Sequence, residues 1–217
     1  ENIGKCYQAN DPTSEETFDL LPTDGGTVKV QDAGSIIKLF PIQDKLLVMC
    51  TNGIWSIQGS EGVGFRANDF SVVKISGIGI NSALPIVNVE GVPFFWNSDG
   101  IYTISPNDLG SLEVKSITDK TIQTFYNDIP QVNKKFAKGA YNALTKTIKW
   151  TYRSDSFIGF HTFYYNHNAV LCLDLNLGAF YTYEVSTGID TSNPYINGIL
   201  AVSNYLSASA TDDRFYY

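Results

Sequence analysis

Histidines, cysteines and paired carboxylates build most metal and acid–base sites, and in this sequence they are few and scattered. His161 and His167 are the only histidines, six apart in a Tyr- and Asn-rich stretch. On one continuous strand they would share a face, as a metal-ligand pair does. No carboxylate or cysteine stands beside them at ligand spacing, so polar hairpin residues is the simpler reading. Asp11, Glu15, Glu16, Asp19 and Asp24 cluster near the start. Their spacing does not fit a twelve-residue calcium loop and no glycine stands at its turn position, which favours a solvated acidic segment. Cys6, Cys50 and Cys172 are odd in number and widely spaced. Two lie in apolar runs, as buried free thiols in a reducing compartment would, and not as a disulfide frame. Nucleophile elbow, phosphate-binding loop and two-Cys zinc pair are absent. The expectation is therefore no catalytic residue, no cofactor and no metal.

Composition bounds what must position any site. The 217 residues are 43 % hydrophobic, 13 % aromatic and 17 % charged, the last below the usual value of about 25 %. β-Branched and aromatic residues outnumber the strong helix formers, which leans toward strands and against coiled coil or disorder. The formal charge of −7 and pI near 4.7 argue against nucleic-acid binding, because Arg66, Arg153 and Arg214 are the only arginines. Apolar runs such as Leu46–Cys50 are far shorter than the roughly 20 residues that span a bilayer, so a soluble protein without membrane insertion is expected. No signal-peptide pattern opens the chain. It starts at Glu1, as a processed chain or a piece of a longer one would.

A repeat sets the architecture. Residues 35–57 (SIIKLFPIQDKLLVMCTNGIWSI) align without a gap on residues 82–104 (SALPIVNVEGVPFFWNSDGIYTI), an offset of 47. Asn52-Gly53 and Asp99-Gly100 fall at equivalent positions, each between an apolar run and an Ile-aromatic-hydroxyl-Ile segment. Both dipeptides predict a two-residue hairpin with positive φ at its centre. A preceding strand (Ile36 to Ile42; Leu84 to Val89) joins each hairpin through Gln43-Asp44 or Glu90-Gly91. An alternating strand follows (Phe70 to Ile75; Leu112 to Ile117). Each unit is thus a four-strand meander, the size of one β-propeller blade. The inner strands, Leu46 to Cys50 and Val92 to Trp96, are nearly continuous apolar runs that need cover on both faces.

Beyond the second unit, Thr118 to Asn127 is the one predicted helix, capped by Thr118 and ended by Pro130, with Ile122, Phe125, Tyr126 and Ile129 at helical spacing. A third unit follows, with Ile148 another 47 residues past Ile101. Its strands are Phe136 to Tyr141, Ile148 to Tyr152, Thr162 to Tyr165, Ala169 to Leu173 and, after a tight turn from Asp174 to Gly178, Ala179 to Val185. Ile199 to Ser203 is one more. Residues 1–33 read as a loop-rich segment with one strand, Thr27 to Val30, and residues 34–217 as a partial propeller of about four blades. The fold class is all-β, with propeller-like four-stranded blades and one short helix.

Two features touch on ligands. Ser98-Asp99-Gly100 resembles the Asp box of sialidase propellers, but the Thr-Trp partner of that motif is missing, and Asp99 is better explained as a turn former. Trp55, Tyr102, Trp150 and Tyr164 could form a sugar-binding set, yet recurrence in successive blades points to packing between blades. Glycoside hydrolysis needs two placed carboxylates, and nothing selects a pair. The structural turns Asn52, Gly53, Asp99, Gly100 and Gly178 are the positions singled out.

Five segments carry a family resemblance in their order along the chain: DKLLVMCTNGIWSI (44–57), NSDGIYTI (97–104), TIQTFYNDIP (121–130), YNALTKTIKWTY (141–152) and VLCLDLNLGAFY (170–181). Over roughly Gly34 to Val185 the chain resembles the propeller region of tail nozzle, or tail tubular, virion proteins of short-tailed bacteriophages. The resemblance implies a non-enzymatic structural protein that forms a hexameric ring below the tail adaptor, around the channel for DNA ejection. It implies residence in the virion tail, and in host cytoplasm during assembly. Subunits of that family are usually longer, so 217 residues would be a partial chain or a small version. The other reading is a carbohydrate-binding propeller that meets host glycans through the Tyr and Asn of Tyr152 to Tyr183.

Overall fold

The computed structural model describes residues 28–60, 69–108, 110–155, 167–184, 199–202 and 214–216. Three four-stranded antiparallel meanders dominate them. The first runs β1 (Ile36–Ile42), β2 (Lys45–Cys50), β3 (Gly53–Gly59), β4 (Phe70–Ser76). The second runs β5 (Val87–Val89), β6 (Val92–Trp96), β7 (Ile101–Pro106), β8 (Leu112–Ser116). After helices α1 (Gln123–Asp128) and α2 (Gln131–Lys134), the third runs β9 (Lys138–Asn142), β10 (Thr147–Tyr152), β11 (Ala169–Asp174), β12 (Ala179–Glu184). A two-stranded pair, β13 (Leu200–Val202) and β14 (Arg214–Tyr216), follows. In each four-stranded sheet strand order equals chain order, so each of the three is a blade-like meander. No helix among the described residues is long and apolar enough to cross a membrane.

The offset of 47 holds between the first two sheets. Cys50 pairs with Gly53 across Thr51-Asn52, and 47 residues on, the Asn97 N–H reaches the Gly100 carbonyl at 2.9 Å across Ser98-Asp99. Gly53 has a φ of 159°, close to extended, and opens β3 after the Thr51-Asn52 loop, whereas Asn52, Asp99 and Gly100 have no positive φ; the left-handed region is not used at these turns. It is used one turn earlier, at Gln43 (53°) and at Glu90-Gly91 (51° and 89°), where the right-handed twist of the strands calls for a primed turn. The third sheet departs from the register. Ile148 sits in its second strand, whereas Ile101 opens the third strand of the second sheet. The helical insert adds residues between the sheets and shifts the phase.

Some expected elements are displaced or split. Strand β5 begins at Val87, not Leu84, because Ser82–Pro85 turns (Ile86 N–H to Ala83 carbonyl, 3.3 Å) and offers its carbonyls elsewhere. Strand β9 starts at Lys138, after Phe136 and Ala137 close the last turn of α2 on the Asn133 and Lys134 carbonyls. There are two short helices in place of one. Thr118 to Ile122 forms turns, Thr118 does not cap α1, and Pro130 ends α1 but starts α2, where its missing N–H costs nothing. Val28 to Val30 is not a strand. The expected strand Thr162 to Tyr165 lies outside the described residues.

The chain divides into two compact units, residues 1–79 and 80–217. In the first, Val48, Cys50, Trp55 and Ile57 form a core against which Val28, Val30, Ala33, Phe70 and Val72 pack. Leu47, Met49 and Ile54, pointing the other way, are also fully buried, so the inner strands are covered on both faces as their continuous apolar runs require. In the second unit, one core joins Val87, Trp96 and Ile101 of the second sheet, Ile148, Trp150 and Leu171 of the third, and Tyr126 and Ile129 of the helical insert. The Trp150 indole N–H donates to the Pro85 carbonyl (3.1 Å), and the Gly139 N–H to the Leu84 carbonyl (3.2 Å). The Ser82–Pro85 turn is therefore an anchor between two sheets.

Candidate functional site

The densest polar constellation in the described residues is built on the Asn97–Gly100 turn. The Asn97 side-chain oxygen accepts from the Asp99 N–H (2.9 Å) and the Ser98 hydroxyl (2.7 Å), the local bonding that makes Asn a turn former. Three successive carbonyls of this turn then each accept from a helix side chain. Tyr126 Oη donates to Asn97 at 2.5 Å, Lys134 Nζ to Ser98 at 3.0 Å and Gln123 Nε2 to Asp99 at 2.7 Å. Gln123 is used fully: Nε2 also donates to Asn127 Oδ1 (2.9 Å), and Oε1 accepts from the buried Thr118 hydroxyl (2.8 Å). Thr118 Oγ1 in turn accepts from the Ile101 N–H at 3.4 Å.

Gly100 is what lets Thr118 come so close. A Cβ there would stand 2.6 Å from Thr118 Oγ1, and one on Gly53 would stand 2.8 Å from the Ser76 carbonyl and 3.0 Å from the Trp55 ring. Both glycines of the repeat thus make room for the chain leaving the outer strand. Asn52 and Asp99 serve different ends. The Asn52 side chain donates to the Asp32 carbonyl (2.8 Å) and accepts from the Gly34 N–H (2.6 Å), tying the entering segment to the first sheet. Asp99 binds the helical insert through its carbonyl and leaves its carboxylate exposed. Gly178 closes the β11–β12 turn with φ of 62°, where Asp174 Oδ1 accepts from the Asn176 and Leu177 N–H groups.

Beside the turn, Ser98, Asp99, Gln123, Asn127, Asp128, Ile129, Pro130, Gln131 and Lys134 line a cleft of about 500 Å3. Lys134 is 5 % exposed, and its ammonium lies 4.4 Å from the centre of the Tyr126 ring. Burial lowers the Lys134 pKa and the Asp99 charge partly offsets this. Burial raises that of Tyr126 far above the usual phenol range. Asn97, Gln123, Tyr126 and Lys134 were not legible as one group. The only sequence signal was Pro130, which can open a helix as well as end one.

The other candidates lie apart. His167 is buried, with Nδ1 2.7 Å from Thr151 Oγ1, and no cluster of three potential metal ligands exists among the described residues. Burial, with Lys138 and Arg153 nearby, lowers its pKa to about 4 against an opposing backbone contact at Phe136. His161, Cys6, Tyr164 and the acidic residues from Asp11 to Asp24 lie outside the described residues. Cys50 and Cys172 are free and buried, which raises both thiol pKa values. Trp150 packs between the second and third sheets. Trp55 packs within the first unit under Lys74 (4.9 Å), and Tyr102 stacks on its cross-strand neighbour Phe95 (5.7 Å).

No known protein-family model matches the chain, and no curated protein matches it.

Proposed function

We propose that this chain is a structural component of a phage tail, of the nozzle type, whose blades form subunit interfaces around the DNA exit channel. The observation that carries this reading is the succession of four-stranded meanders with inner strands buried on both faces, in the chain order of the resembling segments. Such units gain stability by stacking, and present short, protected edges suited to a load-bearing ring. A net charge of −7 favours free passage of DNA over its retention. In this reading the chain catalyses nothing; its partners are other copies, six to a ring, and an adaptor protein. The glycan reading through Tyr152 to Tyr183 has less support. Tyr152 is buried, and the Tyr183 hydroxyl lies 2.9 Å from the Cys172 thiol that donates to it.

Sedimentation velocity of the full chain tests the self-association. A concentration-dependent shift toward a hexamer, over about 1–100 μM, is expected. A monomer throughout that range would contradict ring formation by this chain.

A further inference from the structure

The cleft beside the Asn97–Gly100 turn has more hydrogen-bonding capacity than its own residues use. Lys134 has three N–H donors, of which one meets the Ser98 carbonyl while the Tyr126 ring covers one side. This side chain is more than nine-tenths buried, yet it still lines the cleft. The Asp99 and Asp128 carboxylates and the Gln131 amide are exposed and receive no hydrogen bond from any described residue. The Asn127 oxygen is taken by Gln123, which leaves the Asn127 Nδ2 donor to the cleft. Ile129 and Pro130 add apolar surface.

We propose that this cleft binds a neutral, hydroxyl-rich ligand, a mono- or disaccharide unit. A hydroxyl both donates and accepts. Adjacent hydroxyls can donate to Asp99 and Asp128 and accept from Lys134, Asn127 and Gln131, while the C–H face of a sugar ring rests on Pro130. The alternatives fit less well. A phosphate or carboxylate would meet two carboxylates against one ammonium, and an organic cation would meet the ammonium. A bare metal ion lacks a three-ligand group among the described residues. The volume of about 500 Å3 lies within the usual range for small-molecule sites, about 300–1,000 Å3. The floor of the cleft is held in advance, since three turn carbonyls are pinned by Tyr126, Lys134 and Gln123, and only the exposed Asp99, Asp128 and Gln131 side chains are left to be ordered on binding.

The test is saturation-transfer NMR and calorimetry on the full chain with the methyl glycosides of glucose, galactose, mannose and N-acetylglucosamine, and with maltose and lactose. Glucose 6-phosphate serves as the anionic comparator. At least one neutral saccharide is expected to bind with a Kd of about 0.1–10 mM, more tightly than glucose 6-phosphate. Asp128→Ala or Gln131→Ala, both at exposed positions and each checked for an unchanged circular-dichroism spectrum, should weaken it about threefold or more. No binding by any neutral saccharide at about 10 mM, binding unchanged in both variants, or tighter binding of glucose 6-phosphate would overturn the proposal.

Discussion

His167 shows how one buried side chain becomes a pH term for the whole fold. Its folded pKa of about 4 lies below the ordinary value near 6.5, so folding favours the neutral ring. Stability from this residue is complete above about pH 6.5, falls as pH drops toward 4 and levels off below, a loss on the order of 3 kcal/mol. Urea unfolding at pH 7 and pH 4.5 should show a steeper loss for the native chain than for His167→Gln; equal slopes would remove this role. The paired glycines make a second test at the same scale. Gly53→Ala meets a backbone carbonyl at 2.8 Å and an indole at 3.0 Å, whereas Gly100→Ala meets a hydroxyl at 2.6 Å that a rotamer change can move aside. Both should destabilise, by about 1–3 kcal/mol, with Gly53→Ala the worse in thermal melts.

The elements differ in how far sequence alone reveals them. Strands β2, β3, β6 and β7 were legible because apolar runs and the offset of 47 coincide. The positive φ at Gln43, Glu90 and Lys146 was not, since none of these residue types signals the left-handed region; the strand twist imposes it. The third sheet hid its phase because the insert lengthens the chain before it. The clasp of helix side chains on the Asn97–Gly100 turn was invisible because its partners lie 24 to 36 residues away. Its strength can be measured. Tyr126→Phe keeps the buried ring against Trp96 (5.2 Å) but removes the hydroxyl on the Asn97 carbonyl, and should cost about 1–2 kcal/mol in urea unfolding. Phe125→Ala, on the exposed side of α1, should cost less; a reversed order would mean the clasp does not hold the insert.

At the scale of the molecule, blade-like sheets make sense as parts of something that stacks. Within residues 80–217 two sheets already share one core, with Trp96 and Trp150 at 6.0 Å. Trp150→Ala should therefore cost about 3–5 kcal/mol and loosen the second and third sheets together, read as lost amide protection in hydrogen exchange across both; loss confined to the third sheet would contradict a shared core. The central claim, a structural part of a phage tail, is tested most directly by cryo-electron microscopy of the particle that carries this chain. The expected result is a sixfold ring of blade-like sheets below the tail adaptor, with the Asn97–Gly100 turn and its two short helices traceable in each subunit. A complete tail reconstruction in which no density fits this chain would contradict it.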